Sequence, residues 1–175
     1  APDPFIYGEG TRVESATLQA VRRCLAAGIS VADIAVVSLQ RRERSRLCSL
    51  DRLGEFRIRR YAGHYDENGE PVWHDGDLLI ESIDRFKGQS AQAVVLTECD
   101  FDRWTPALRR RLFVALTRAM VRVEWVLSER AAQTIAAVVE GAPDRIGPED
   151  AIRQDSTGEP ARAPAAAGAD ADDAD

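Results

Sequence analysis

"GDLLIESIDRFKGQSAQAVVLTE", residues 76–98, contains two short apolar runs separated by a polar connection. Residues 76–83 and 91–98 read as strands, and "DRFKGQS" between them reads as a strand-to-helix or strand-to-loop connection. Upstream, "DIAVVSL" (33–39) is a continuous apolar run rich in β-branched residues, the pattern of a strand buried on both faces of a parallel sheet.

Parallel strands need long crossovers, and the flanking segments supply them. "TRVESATLQAVRRCLAAG" (11–28) spaces Val13, Leu18, Val21 and Leu25 at helical intervals and ends at Gly28, whose permissive backbone suits a helix C-terminus. "WTPALRRRLFVALTRAM" (104–120) carries Leu108, Leu112, Phe113, Leu116 and Ala119 as the apolar face of a second helix. The strand "VRVEWVLS" (121–128) and the helix "ERAAQTIAAVVEG" (129–141) follow. Alternating β and α elements predict a parallel α/β sandwich. One segment departs from the alternation. Asn68-Gly69 lies between two extended runs, and both residues tolerate positive φ, so a β-hairpin excursion is expected at about 57–74, before the sheet resumes.

Composition bounds the rest. The chain has 175 residues, 45% hydrophobic and 30% charged, and no run approaches the roughly 20 apolar residues that span a bilayer, so a soluble globular domain is expected. The N-terminus lacks the features of a secretory signal and an initiator Met, and reads as a piece of something longer. Cys24, Cys48 and Cys99 are widely separated, with only His64 and His74 to assist, so neither a disulfide framework nor a metal site is suggested; idle thiols in a reducing cytoplasm are expected. The net charge of -6 is uneven: from Glu140 onward there are ten acids and three arginines, leaving 20 basic against 19 acidic groups in residues 1–139. Residues 141–175 are rich in Pro, Ala, Gly, Asp and Glu and are expected to be a mostly disordered, acidic, solvating tail. The domain then occupies residues 1–140.

In open parallel sheets, ligands bind beyond the carboxyl ends of the strands. The segments there are unusual. "QRRERSR" follows the strand at 33–39, and its Arg41, Arg42, Arg44 and Arg46 carry planar guanidinium groups suited to phosphate, although the run also reads as a solvated face. "DRFKGQS" holds Lys87, the only lysine of the chain, next to Gly88, which allows close backbone approach to an anion. No glycine precedes Lys87, so the chain contains no phosphate-cradling G-x-x-x-x-G-K-[ST] loop. Thr117-Arg118-Ala119 ends the second helix, where a basic residue also simply opposes the helix dipole.

Taken together, "DIAVVSLQRRERSR", "SIDRFKGQSAQAVVLTE" and "LFVALTRAMVRVEWVLS", in this order and spacing, resemble motifs IV, V and VI of superfamily 1 DNA helicases of the UvrD/Rep type, over about residues 30–128. That resemblance implies a RecA-like three-layer sandwich with a mainly parallel sheet and a small hairpin insertion, the second of two motor domains that clamp ATP and Mg2+ between them. The P-loop and the magnesium-binding acids would belong to an N-terminal motor domain upstream in the same polypeptide. Single-stranded DNA would run across both domains, with no membrane involved, in the cytoplasm and on the nucleoid. By the same resemblance Arg118 is the motif VI arginine that reaches the γ-phosphate. Arg46 fits the motif IV arginine best, with Arg42 and Arg44 as alternatives.

In motif V, Ser82, Asp84, Arg85 and Lys87 fall at positions facing nucleic acid, and Gly88, Gln89 and Ser90 at positions near the nucleotide. Asp84 stands where the family has His and Ser90 where it has Glu. A carboxylate at 84 would repel DNA phosphate unless paired, with Arg85 the nearest candidate in sequence. The fragment alone is expected to be inert as an ATPase. The alternative expectations are a nonenzymatic nucleic-acid-binding or regulatory module on the same fold and, more weakly, an unrelated α/β nucleotide-binding enzyme. The hairpin's Tyr61, Tyr65 and Trp73, with Arg57, Arg59 and Arg60, could stack bases. Aromatic pairs are also what a small hairpin needs merely to fold, and that structural reading is preferred.

Overall fold

Successive residues of a strand point to opposite faces of its sheet, and here both faces are covered. The computed structural model describes residues 3–69 and 71–141. In β2 (Ile34–Ser38), Ile34 and Val36 join one buried cluster while Ala35 and Val37 join another. In β7 (Ala91–Cys99), Ala93 and Val95 divide from Val94 and Leu96 in the same way. The first cluster is closed by Val13, Ala16, Ala20, Val21 and Cys24 of α1 (Val13–Ala26), the second by Leu112 and Ala115 of α2 (Pro106–Leu116) and Ala131 of α3 (Glu129–Glu140). Helices on both faces of one sheet make the three layers of a RecA-like α/β sandwich.

The remaining strands are β1 (Phe5–Tyr7), β3 (Arg52–Leu53), β4 (Phe56–Tyr65), β5 (Pro71–His74), β6 (Leu78–Ser82) and β8 (Ala119–Ser128). The order across the sheet is β1-β8-β7-β2-β6-β4-β3, with β5 hydrogen-bonded to β4. All pairs from β1 to β4 are parallel; β3 and β5 run antiparallel to β4. The strands read from sequence at 33–39, 76–83 and 91–98 are therefore the central three.

Three local expectations are corrected. The hairpin is not an excursion outside the sheet: Ile58 and Arg59 of β4 pair in parallel with Leu78 and Leu79 of β6, so its first strand belongs to the main sheet. Its turn is built around Asp66, whose carbonyl accepts from Gly69 N at 3.0 Å and whose carboxylate accepts from Asn68 N at 2.9 Å. Only Gly69 takes a positive φ (80°) there, so Asn68 follows a type I path with Asp at the first position and Gly at the fourth. The second helix stops at Leu116 rather than continuing to residue 120, because pairing of Ala119 with Ala91 draws the chain into β8 two residues early. Its start is capped: Thr105 Oγ1 accepts from Leu108 N at 3.1 Å and Pro106 occupies the first turn. β1, an edge strand paired with Val126–Ser128, was not anticipated.

All three cysteines are free and buried. The acidic tail expected over 141–175 lies, beyond Gly141, outside the described residues. No described helix is long and apolar enough to cross a membrane.

Candidate functional site

The chain leaving β2 is held by a buried carboxylate from β7. Glu98, 5% exposed, is the one described non-glycine residue with positive φ (52°). That conformation turns its side chain under the 38–46 segment, where it accepts from Ser38 Oγ at 2.5 Å, Ser45 Oγ at 2.5 Å and Arg46 N at 2.7 Å. Ser45 Oγ in turn accepts from Cys48 N at 3.0 Å. Glu98 thus fixes where the arginine run begins and ends.

Within that run the arginines divide. Arg42 turns inward: Nη1 lies 2.9 Å from Glu81 Oε2, and Nη2 donates to Tyr61 O at 3.1 Å. Arg44 and Arg46 are exposed and their guanidinium groups have no partner among the described residues. Both line a cleft of about 350 Å³ with Tyr7, Gln40, Glu98 and Asp100. Arg130 donates to Asp100 with both Nε and Nη2, which holds that carboxyl below its usual range. Burial, then the Asp100 charge, pushes the Tyr7 phenol well above its ordinary value. The cleft can accept an anion on two free guanidinium groups.

The 82–90 connection is a crossover without a helix. Ser82 is buried; its amide donates to Glu81 Oε1 at 2.9 Å and its carbonyl accepts from Arg85 N and Phe86 N. Phe86, 2% exposed, anchors the loop on the face shared with α2. Gln89 N donates to Phe86 O at 3.1 Å and Gly88 has φ 84°, a type II turn with Lys87 and Gly88 at its centre. A Cβ on Gly88 would meet nothing within 4 Å, so the backbone conformation rather than crowding requires glycine, and Lys87 is presented outward at 64% exposure.

The Asp84 carboxylate is paired, though not by Arg85. Lys87 Nζ lies 3.5 Å and Arg111 Nη2 of α2 3.6 Å from it. Arg85 instead stacks on Tyr61, its guanidinium carbon 4.8 Å from the ring centroid. Arg118 closes the arrangement at the other end of the crossover: its carbonyl accepts from Ala91 N at 3.1 Å, directly after Ser90. Its Nε is buried with no hydrogen-bond partner among the described residues. The structure thus groups Ser82, Asp84, Arg85, Lys87, Gly88, Gln89 and Ser90 on one crossover and Arg42, Arg44 and Arg46 on one loop. Arg46 and Arg118 flank opposite ends of β7, beside Glu98 and Ala91. No group of three or more His, Cys, Asp or Glu among the described residues could hold a metal ion.

Sequence reasoning missed Glu98 and Gln40. A charged residue closing the apolar run "AVVLTE" was the available signal, since a carboxylate in a buried strand must find donors. Gln40 Nε2 donates to Glu98 O at 3.4 Å, completing the latch.

A mostly parallel sheet with helices on both faces, and arginine-bearing connections between its central strands, defines a RecA-like α/β sandwich. Residues 77–123, from β6 through the crossover and α2 into β8, match the family model of the UvrD-like helicase C-terminal domain, so this stretch of the chain is similar to that family. No curated protein matches the chain.

Proposed function

We propose that this chain is the second motor domain of an ATP-dependent DNA helicase or translocase, contributing Arg118 to an ATP site shared with an N-terminal motor domain. The family match supports a helicase motor domain. The observation that carries the finer reading is Arg118 Nε, buried without a partner among the described residues; Arg59 Nε of β4 shares that state, but Arg118 alone of the two stands at the motif VI position of the resemblance. A buried guanidinium donor with no acceptor costs free energy unless a ligand supplies one. A nucleotide γ-phosphate is such an acceptor, and phosphoryl transfer is accelerated by a positive charge placed on its equatorial oxygens.

Arg44 and Arg46, like Arg41 exposed with no side-chain partner among the described residues, lie at the end of β7 away from Arg118 and fit a separate anion rather than the phosphate Arg118 reaches; Arg42 acts through Glu81 to hold the loop. By the resemblance, magnesium ligands would come from the N-terminal motor domain. ATP bound between two domains supplies the energy of hydrolysis, and closing and opening of the cleft would move single-stranded DNA along the crossover face. A fragment without the P-loop is then inert alone.

The test is DNA-stimulated ATP hydrolysis by the full-length protein carrying Arg118→Ala. A loss of about 10³-fold is expected, the usual scale for removing an arginine finger. Hydrolysis near the wild-type rate would sink the role given to Arg118. A second reading, a nonenzymatic module on the helicase fold, draws on one observation: Lys87 is spent partly on Asp84. An upstream segment lacking a P-loop and an acidic pair would favour it.

A further inference from the structure

We propose that the β4–β5 hairpin and the 84–89 crossover together form a stacking pocket for an unpaired nucleobase of single-stranded nucleic acid. This deepens the proposed function and rests on it, but the pocket belongs to this chain's own hairpin, which lies outside the residues matched by the family model.

Tyr61 and Tyr65 are four residues apart on one strand. In a regular strand such side chains stand about 13 Å apart. Their ring centroids are 5.6 Å apart, and the β4–β5 register breaks between them, where Gly63 takes φ 96°. The bulge folds Tyr65 back over Tyr61, as bulges do when they re-aim a side chain. Trp73, cross-strand from Tyr61, meets it edge-on at 6.1 Å. Arg85 covers Tyr61 from the crossover, and Lys87 and Gln89 complete a pocket of about 390 Å³.

A hairpin that needed aromatics only to fold would bury them. Tyr61 is buried, but Tyr65 is 65% exposed and presents its ring to solvent. The two carboxylates of the pocket are already neutralised, Glu81 by Arg42 and Asp84 by Lys87 and Arg111, so Arg85 leaves the rim net positive. An exposed aromatic ring beside a positive rim suits a base stacked on Tyr65 with its phosphate on Arg85, which pairs with no carboxylate among the described residues. Gln89 also lines the pocket; its Nε2 donates to Arg85 O at 3.4 Å, which leaves Oε1 as an acceptor for a base edge.

The experiment measures binding of labelled oligo(dT), and of the same oligonucleotide with abasic sites, by the full-length protein with Tyr65→Ala and Tyr65→Phe. The expected result is a loss of roughly 10-fold for Y65A on oligo(dT), retention by Y65F, and no difference between Y65A and wild type on the abasic strand. Equal loss on both strands would assign Tyr65 to the backbone or to folding and overturn the pocket. Unchanged binding by Y65A would also overturn it while leaving the helicase reading intact if Arg118→Ala still abolishes hydrolysis. Failure of the wild-type protein to bind either strand would overturn both readings.

Discussion

Arg42 and Glu81 form an ion pair with one partner sealed from water: Glu81 is 1% exposed, and both its oxygens accept from the same Arg42 Nη1, at 2.9 and 3.2 Å. The pair ties the loop after β2 to the end of β6, its neighbour in the sheet. A buried pair contributes little net stability over an apolar replacement, yet removing one partner leaves a desolvated charge behind. Arg42→Ala should therefore lower unfolding stability by about 3–5 kcal/mol in urea titration, whereas Arg42→Met with Glu81→Leu should recover most of that loss. A single-mutant effect within experimental error would show that Glu81 finds other donors.

Glu98 makes the second prediction. Its carboxylate satisfies two hydroxyls and one backbone amide, and its φ of 52° is conformationally costly. Glu98→Ala keeps the strained backbone and removes both carboxylate acceptors, leaving only the carbonyl that Gln40 meets, so a loss of about 2–4 kcal/mol is expected. Limited proteolysis should then cut within residues 40–50 before any other described segment. Stability unchanged in E98A would mean that the latch is not what orders the arginine loop.

Asp84 tests the crossover. Its charge is shared by Lys87 and Arg111 at 3.5 and 3.6 Å, both at least 41% exposed. Pairs this exposed contribute little to stability, so Asp84→Asn should leave the melting temperature unchanged within error. It should free one cation for phosphate. If single-stranded DNA crosses this face, affinity rises a few-fold at low salt and the slope of log K against log salt steepens by about 0.7. A weaker complex in D84N would give Asp84 a direct role in positioning the strand.

The central strands and all three helices were legible because their signals are local: apolar β-branched runs, 3.6-residue spacing, Pro106 after Thr105. The candidate site was legible only as a set of residue types. That Arg42 is structural while Arg44 and Arg46 are free depends on Glu81, which lies 39 residues away in sequence. That Asp84 pairs with Arg111 and not with Arg85 depends on α2 packing over the crossover. The bulge that brings Tyr65 onto Tyr61 depends on a register break that Gly63 permits but does not announce. Contacts between distant segments are set by the sheet order, and no short window of sequence contains it.

The buried thiols make the last prediction. Burial pushes Cys24 and Cys48 up from 9.0 to about 11, with the charges of Glu124 and Glu81 adding to the effect, and Cys99 is raised further by burial and Glu98. The unfolded chain releases these protons near pH 9 while the folded chain holds them. Stability from this source is therefore fully present below pH 9 and is lost as pH rises from 9 toward 11. A fall on the order of 2 kcal/mol per thiol is the upper expectation over that window. Urea midpoints should stay level from neutral pH to 8.5 and then decline, and Cys24→Ala with Cys48→Ala should start lower but decline less steeply. The same burial should leave all three thiols unreactive toward an alkylating agent at pH 8 until denaturant is added. Rapid alkylation of the native protein would show that the core opens locally around α1 or the loop at Leu47–Ser49, and the alkaline decline would then need another cause.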